Sequence, residues 1–572
     1  MSTAERVSRL GPGGRRATLE RLQREPLDLL VVGGGITGAG VALDAATRGL
    51  SVALVEKRDF GAGTSSRSSK LIHGGLRYLE QRDFSLVREA LHERALLLSS
   101  LAPHLVEAIP FLFPLRHRGW ERAYIGAGVG LYDALAGRHS AVPRHRHLSR
   151  TAALEMAPSL RPDSLTGAIR YHDARTDDAR FVVALVRTAV AHGALALSGM
   201  RVDALPLEAG GMRQVLLHDT ERGREARVRA RVVVNATGVW SGELERSAGV
   251  GSPLEMRASK GVHLLVPRHR VSSEAALVVR TERSVLFVIP WGAHWLIGTT
   301  DTEWSLDRDH PAASQADIRY LLDQVNAVLR DPLGEEDVVG VFAGLRPLVA
   351  GGEAETTALS REHVVRRPAP GFVTVAGGKY TTYRLMARDA VDAAGEEMGE
   401  AIDASRTDKV PLLGAEGLST ARGRAHAHPV AAWLGPGSVD HLLERYGSLA
   451  LVLLEAIAAS PELGEPLPGA PGYLLAEVRY AVVAEGALHL DDVLTRRTRI
   501  SIETPDRGRA AAEPVARQMA ELLGWSRRQL RREAAHYLAR LDAELQAAEE
   551  PDDDRADAVR SAVRDLRLST GA

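Results

Sequence analysis

Gly33, Gly35 and Gly38 follow the spacing G-x-G-x-x-G, and Glu56 lies 23 residues beyond the first of them. In that order these residue types suit one task, holding a dinucleotide. Gly33 permits a tight turn, Gly35 lets a pyrophosphate approach the backbone, and Gly38 lets a helix pack closely on a strand. A helix starting at this turn offers its unsatisfied N–H groups and positive dipole end to phosphates. Glu56 is placed to accept from both hydroxyls of a ribose and would repel a 2′-phosphate. The triplet alone does not separate FAD from NAD.

The flanking sequence supplies the elements such a turn requires. Residues 27–32 form a short apolar run that reads as a buried parallel strand. Residues 39–48 carry small and apolar positions at helical spacing, and 51–55 are a second apolar strand running into Glu56. Two distant segments repeat the pattern of a strand ending in glycine: 231–238, ending at Gly238, and 371–379, with Gly377, Gly378 and Lys379. Separated segments of this kind suit one large cofactor threaded through a domain assembled from distant pieces.

Four stretches occur in the order found in one family. They are GAGTSSRSSKLIHGGLRYLE at 61–80, IGTTD at 297–301, GLRP at 344–347 and GGKYTTYR at 377–384. Together they closely resemble the FAD-dependent glycerol-3-phosphate dehydrogenases, over about residues 20–545. YLLAEV at 473–478 and DVLTRRTR at 492–499 are similar to that family's helical domain. The resemblance implies FAD as cofactor, sn-glycerol 3-phosphate as donor, dihydroxyacetone phosphate as product and a membrane quinone as acceptor.

It also implies site residues. A buried phosphate dianion needs paired cations, and the planar fork of arginine suits it best. Arg361 and Arg77 are the implied phosphate ligands, with Tyr78 beside them. Arg346 is placed nearer the reacting carbinol, and Lys379 and Gly378 face flavin or substrate. Oxidising a secondary alcohol requires removal of its hydroxyl proton, and histidine is the side chain best poised for that at neutral pH. His263, in the matching Lys-Gly-x-His pattern, is the expected base, assisted by Arg346. Ser68, Ser69 and Thr381 are expected at the cofactor. Two alternatives stay open: an oxygen-reducing glycerol-3-phosphate oxidase, and an amine or amino-acid oxidase on the same fold.

Composition bounds the remaining classes. Hydrophobic residues make up 45% and charged residues 25%, which is ordinary for a globular chain. With no Cys, thiol catalysis, disulfides, iron–sulfur clusters and Cys-based zinc sites are excluded. A net charge of -1 offers no basic field for nucleic acid. No metal site is expected, because the H-x-H pairs at 145–147 and 426–428 lack further ligands at metal spacing.

The expected fold is α/β: a Rossmann-like FAD-binding domain with an antiparallel-sheet substrate region and a C-terminal all-helical domain. The expected divisions are an N-terminal tail at 1–26, the FAD and substrate domain at 27–405, helices at 406–548, and an acidic linker and tail at 549–572. The antiparallel sheet is expected at about 250–350, roofing the flavin. Basic residues and aromatics at 116–125 precede an apolar helix, a pattern that could lie in a headgroup layer. The expectation is a cytoplasmic chain held peripherally at the inner face of the cell membrane, with a homodimer left open.

Overall fold

The computed structural model describes residues 8–79, 83–117, 119–137, 140–281, 285–349 and 362–567, the side chain of Arg77 excepted. Its first sheet runs in the order His363–Ala369, Phe372–Gly377, Arg224–Asn235, Leu27–Val32, Val52–Val55, Leu195–Leu197. From Phe372–Gly377 to Leu195–Leu197 the neighbours are parallel, with Val31 opposite both Val234 and Leu54. Parallel sheets are covered on both faces, and this explains the unbroken apolar runs of the sequence. Helices Ile36–Thr47, Asp178–Ala191 and Tyr383–Met398 cover one face through Val41, Phe181, Val186 and Ala390. The other face packs on strands Met200–Ala204 and Arg213–Asp219. Because the three glycine-ended strands are adjacent and parallel, Gly33, Gly238 and Gly377 all open at one edge of the sheet.

The second sheet has ten strands, nearly all antiparallel. Its central strand, Met256–Pro267, lies between Gly340–Val349 and His294–Gly298. The register sets His263 opposite Phe342 and Gly298, and Ser259 opposite Arg346. The sheet extends beyond the expected window, because Val106–Leu115 and Gly167–Thr176 pair along ten residues and join it at Ala276–Arg280. From Leu418 onward the chain is helical apart from the hairpin Pro466–Leu467 and Ala470–Leu474, within a stretch that reads as a loop in the sequence.

The sequence reads as a short polar helix near residues 17–25 in the N-terminal segment; the structure has that helix, begun earlier, and docks both ends of the chain. Helix Pro12–Arg24, with Pro at its first turn, buries Leu22 against the first sheet and sends Arg15 to Asp219 at 2.9 Å. Its apolar stripe is narrow, so little in its sequence separates it from a solvated segment. At the other end the acidic run is largely exposed as expected, but it is anchored at one point. Helix Asp553–Ser561 brings Asp553 to the buried Lys260 at 2.5 Å, and Arg567 bonds Asp492 at 2.8 Å and Glu221 at 2.8 Å. These charges have partners far away in the chain, which the local sequence does not reveal.

Candidate active site

Gly33 takes φ +110°, and a Cβ there would meet the Ala236 carbonyl at 2.5 Å, so the first turn needs glycine twice over. A Cβ on Gly38 would fall 1.9 Å from the Gly33 carbonyl, which is the close packing its position in the motif demands. The start of helix Ile36–Thr47 points into the cavity, and the Ile36 N–H donates to Ser65 Oγ at 2.9 Å. Glu56 accepts from the N–H groups of Gly34 at 2.7 Å and Arg58 at 2.8 Å. A carboxylate retains lone pairs beyond these two bonds, so Glu56 can still accept from a ribose.

At the far end of the same cavity His263 is buried, with 2% of its surface exposed. Its Nε2 shares a 2.9 Å hydrogen bond with Ser69 Oγ, and its ring stacks on Phe342 with centroids 4.9 Å apart. Gly298 leaves room for it, since a Cβ there would lie 2.3 Å from the ring. Burial first, then the cations Arg346 and Lys70, hold the imidazole well below its ordinary pKa, so it is neutral at physiological pH. Arg346 is held by several described partners. It donates to Asp301 at 3.2 Å, Ser259 Oγ at 3.3 Å, Thr299 Oγ1 at 3.1 Å and the Thr300 carbonyl at 3.1 Å. Gly261 makes space for that guanidinium, which a Cβ would approach to 2.8 Å. Lys379 sets its ammonium 3.5 Å over the ring of Tyr78. Gly378, at φ +75°, lets the preceding turn form against Met386.

The structure brings Gly33, Gly35, Glu56, Ser68, Ser69, Tyr78, Gly238, His263, Arg346, Gly378 and Lys379 onto one cavity of about 510 Å³. Two expected cofactor residues act otherwise. Thr381 is not on the cavity wall: its hydroxyl accepts from His73 N–H at 3.1 Å and ties two loops together. Ser68 lines the cavity, but its hydroxyl donates to Asp178 at 2.7 Å and accepts from Lys70 N–H at 2.9 Å, so it holds the loop in shape. Arg361 and the side chain of Arg77 lie outside the described residues. Three roles escape a sequence reading. They are Ser65 at the helix start, Phe342 beneath His263, and Asp301 as the carboxylate that aims Arg346. The G-T-T-D turn leaves Asp301 open as a turn residue or a ligand, and register across the roof sheet gives it Arg346 as its partner.

Residues 28–393 match the family of FAD dependent oxidoreductases, and 405–530 match the C-terminal domain of alpha-glycerophosphate oxidase. The left-handed turn at Gly33, the inward-pointing helix start and the acid at position 56 fit the adenosine diphosphate half of FAD. The chain is thus an FAD-dependent oxidoreductase. It is 53% identical over 558 residues to glycerol-3-phosphate dehydrogenase 2 of Mycobacterium tuberculosis, covering 98% of this chain and 95% of that protein. It is 36% identical over 539 residues to the mouse mitochondrial glycerol-3-phosphate dehydrogenase, covering 90% and 73%. Among solved structures, the Bacillus halodurans glycerol-3-phosphate dehydrogenase complexed with FAD superposes with a TM-score of 0.77 at 29% identity, covering 95% and 99% of the two chains. The chain belongs to the FAD-dependent glycerol-3-phosphate dehydrogenase family.

Proposed function

We propose that this protein oxidises sn-glycerol 3-phosphate to dihydroxyacetone phosphate and passes the electrons to a membrane quinone. The observation that carries the reading is the meeting of a neutral buried histidine with two held cations, Arg346 and Lys379, at one end of the dinucleotide cavity. Bound FAD supplies the hydride acceptor. His263 Nε2 takes the proton of the secondary hydroxyl, and Ser69 keeps the ring turned toward it. Arg346 neutralises charge developing on that oxygen and, by its own charge, keeps His263 unprotonated before the reaction. Lys379 attracts the phosphate dianion, with Arg77 and Arg361 as the further ligands the resemblance implies.

The quinone reading draws support from the surface. Helix Trp120–Ala136 exposes Trp120, Tyr124 and Leu131 along one face, at 64%, 57% and 40%, with Arg116 and Arg122 nearby. Tyr132 faces the other way and donates to Asp173 at 2.8 Å. An exposed stripe with interfacial aromatics, preceded by the exposed Arg116, suits peripheral attachment to anionic lipid at the inner face of the cell membrane, while Arg122 turns inward to the Leu148 carbonyl. Among the described residues no helix is long and apolar enough to cross a membrane.

Anaerobic addition of sn-glycerol 3-phosphate to the yellow holoenzyme should bleach the oxidised flavin band, and glycerol or lactate should not. A flavin that stays oxidised would overturn the substrate and direct attention to amines and amino acids. Reoxidation by a short-chain quinone, with little peroxide under air, is expected. Rapid peroxide release would replace the quinone by oxygen.

A further inference from the structure

Behind the roof sheet lies a second, smaller cavity of about 60 Å³, walled by the loop at Ser66 and Arg67, the roof strand at Phe342 and the C-terminal helices. A single water needs roughly 10–15 Å³ of such space, so this one holds a few waters or one small polyatomic ion, and no nucleotide or sugar. Four arginines line it: Arg67, Arg499, Arg507 and Arg540. Glu544 is its one carboxylate, and it is already drawn to Arg560 at 3.3 Å and Arg540 at 3.8 Å. Arg499 is matched by Asp177 and Asp178, and Arg540 by Asp491.

Arg67 and Arg507 are not matched. Neither has a carboxylate within ion-pair distance among the described residues, and both have Glu544 as the acid whose field they feel. Among the described residues the Arg67 guanidinium donates only to the Ala343 carbonyl, at 3.5 Å, and desolvation beside Arg58, Arg560 and Arg540 pulls its pKa down to about 10. Arg507 is 6% exposed, and no acceptor for its guanidinium is present among the described residues. Ser501 is 8% exposed, and its Oγ, on the same cavity wall, has no hydrogen-bond partner. A buried Arg507 and a half-buried Arg67 without a carboxylate at ion-pair distance, around a cavity that also holds an unsatisfied buried hydroxyl, favour an anion there.

We infer that this cavity binds a small tetrahedral oxyanion of the phosphate or sulfate class, between Arg67, Arg507 and Ser501. The site is separate from the substrate cavity, yet Arg67 lines both. An anion here would settle the loop that carries Ser65 and Ser69, and would sit behind the ring on which His263 stacks.

The test uses the FAD-loaded full-length protein crystallised without sulfate or phosphate and soaked in sodium selenate, whose selenium scatters anomalously. An anomalous peak within hydrogen-bond reach of Arg67, Ser501 and Arg507 is expected, and its absence or density fitting water alone would overturn the site. In solution, sodium phosphate should raise the thermal midpoint above sodium chloride of equal ionic strength. Because the substrate cavity also attracts phosphate, the decisive comparison is with Arg507→Gln, which should weaken phosphate binding here about tenfold or more and leave KM for the substrate unchanged. Ser501→Ala removes only a hydroxyl and should weaken the same binding without threatening the fold. Phosphate protection undiminished in both variants would sink the inference.

Discussion

Along the seam between the nucleotide-binding sheet and the C-terminal helices, buried charge is met by opposite charge at close range. Asp59 accepts from Arg496 at 2.6 Å and from Arg497 at 2.7 and 2.8 Å. Glu485 takes both ends of Arg180 at 2.7 Å, and His489 lies between Glu533 at 2.8 Å and Glu221 at 3.0 Å. In the substrate cavity the partners are of another kind. His263 meets a hydroxyl and an aromatic face, Lys379 packs over a phenol ring, and among the described residues Arg346 is held by the neutral oxygens of Ser259, Thr299 and Thr300 beside Asp301. A carboxylate cancels a cation's charge, whereas a hydroxyl, a carbonyl or a ring orients it and leaves its field available. These seam pairs are neutral as units, and the cavity side chains are oriented mainly by neutral groups.

The contrast is broken most sharply at the base. His263→Gln should lower kcat by 10²- to 10⁴-fold while the flavin spectrum stays intact. A loss under tenfold would move the proton-transfer role elsewhere. The wild-type acid limb of kcat/KM should lie below the ordinary histidine range, because burial and the Arg346 charge favour the neutral ring. Arg346→Gln removes one of the depressing cations and should move that limb upward, alongside its cost in turnover.

The seam should fail differently. Asp59→Asn removes the one carboxylate that Arg497 bonds and should cost about 3–5 kcal/mol of stability, read by urea or thermal unfolding, with KM in the surviving fraction unchanged. A stable variant with altered KM would erase the distinction between the two regions.

The smallest effect is a pH dependence of the seam itself. His489 is raised to about 10 against the burial that opposes its charge, chiefly by Glu221. A raised folded pKa means that its stabilisation is complete below the unfolded value of roughly 6.5 and is lost as pH climbs through about 10. His489→Gln should therefore destabilise the protein at pH 6 and flatten its decline in stability toward pH 10. An unchanged alkaline slope would remove His489 from that role.

The cofactor end was legible because its signals are local. Gly33, Gly35, Gly38 and Glu56 report on a turn, a helix start and a strand end within two dozen residues. His263 and Arg346 could be proposed from family motifs, but their geometry depends on register across three strands, which no single segment encodes. Ser68 and Thr381 look like cofactor ligands by position, and their hydroxyls are used inside the protein. The anchoring of the terminal segments was hidden for a related reason. Asp553 and Arg567 look solvated beside their sequence neighbours, yet Asp553 reaches the buried Lys260 and Arg567 is buried against Asp492. Composition describes a residue's surroundings along the chain, and these residues take their surroundings from elsewhere.

The three adjacent glycine turns have a consequence for how the protein is made. Gly33 leaves the ribosome early, but the neighbouring turns at Gly238 and Gly377 are hundreds of residues behind it. At about 5–20 residues per second, the interval between Gly33 and Gly377 is roughly 20–70 s of synthesis. Leu27–Val32 can pair with Val52–Val55 at once, but Arg224–Asn235 arrives much later and Phe372–Gly377 last, and parallel pairing between such distant segments is intrinsically slow. FAD can be captured in full only near the end, and once bound it joins early and late parts of the chain like a clasp. Flavin supply during expression should therefore decide how much of the newly made chain reaches a durable fold.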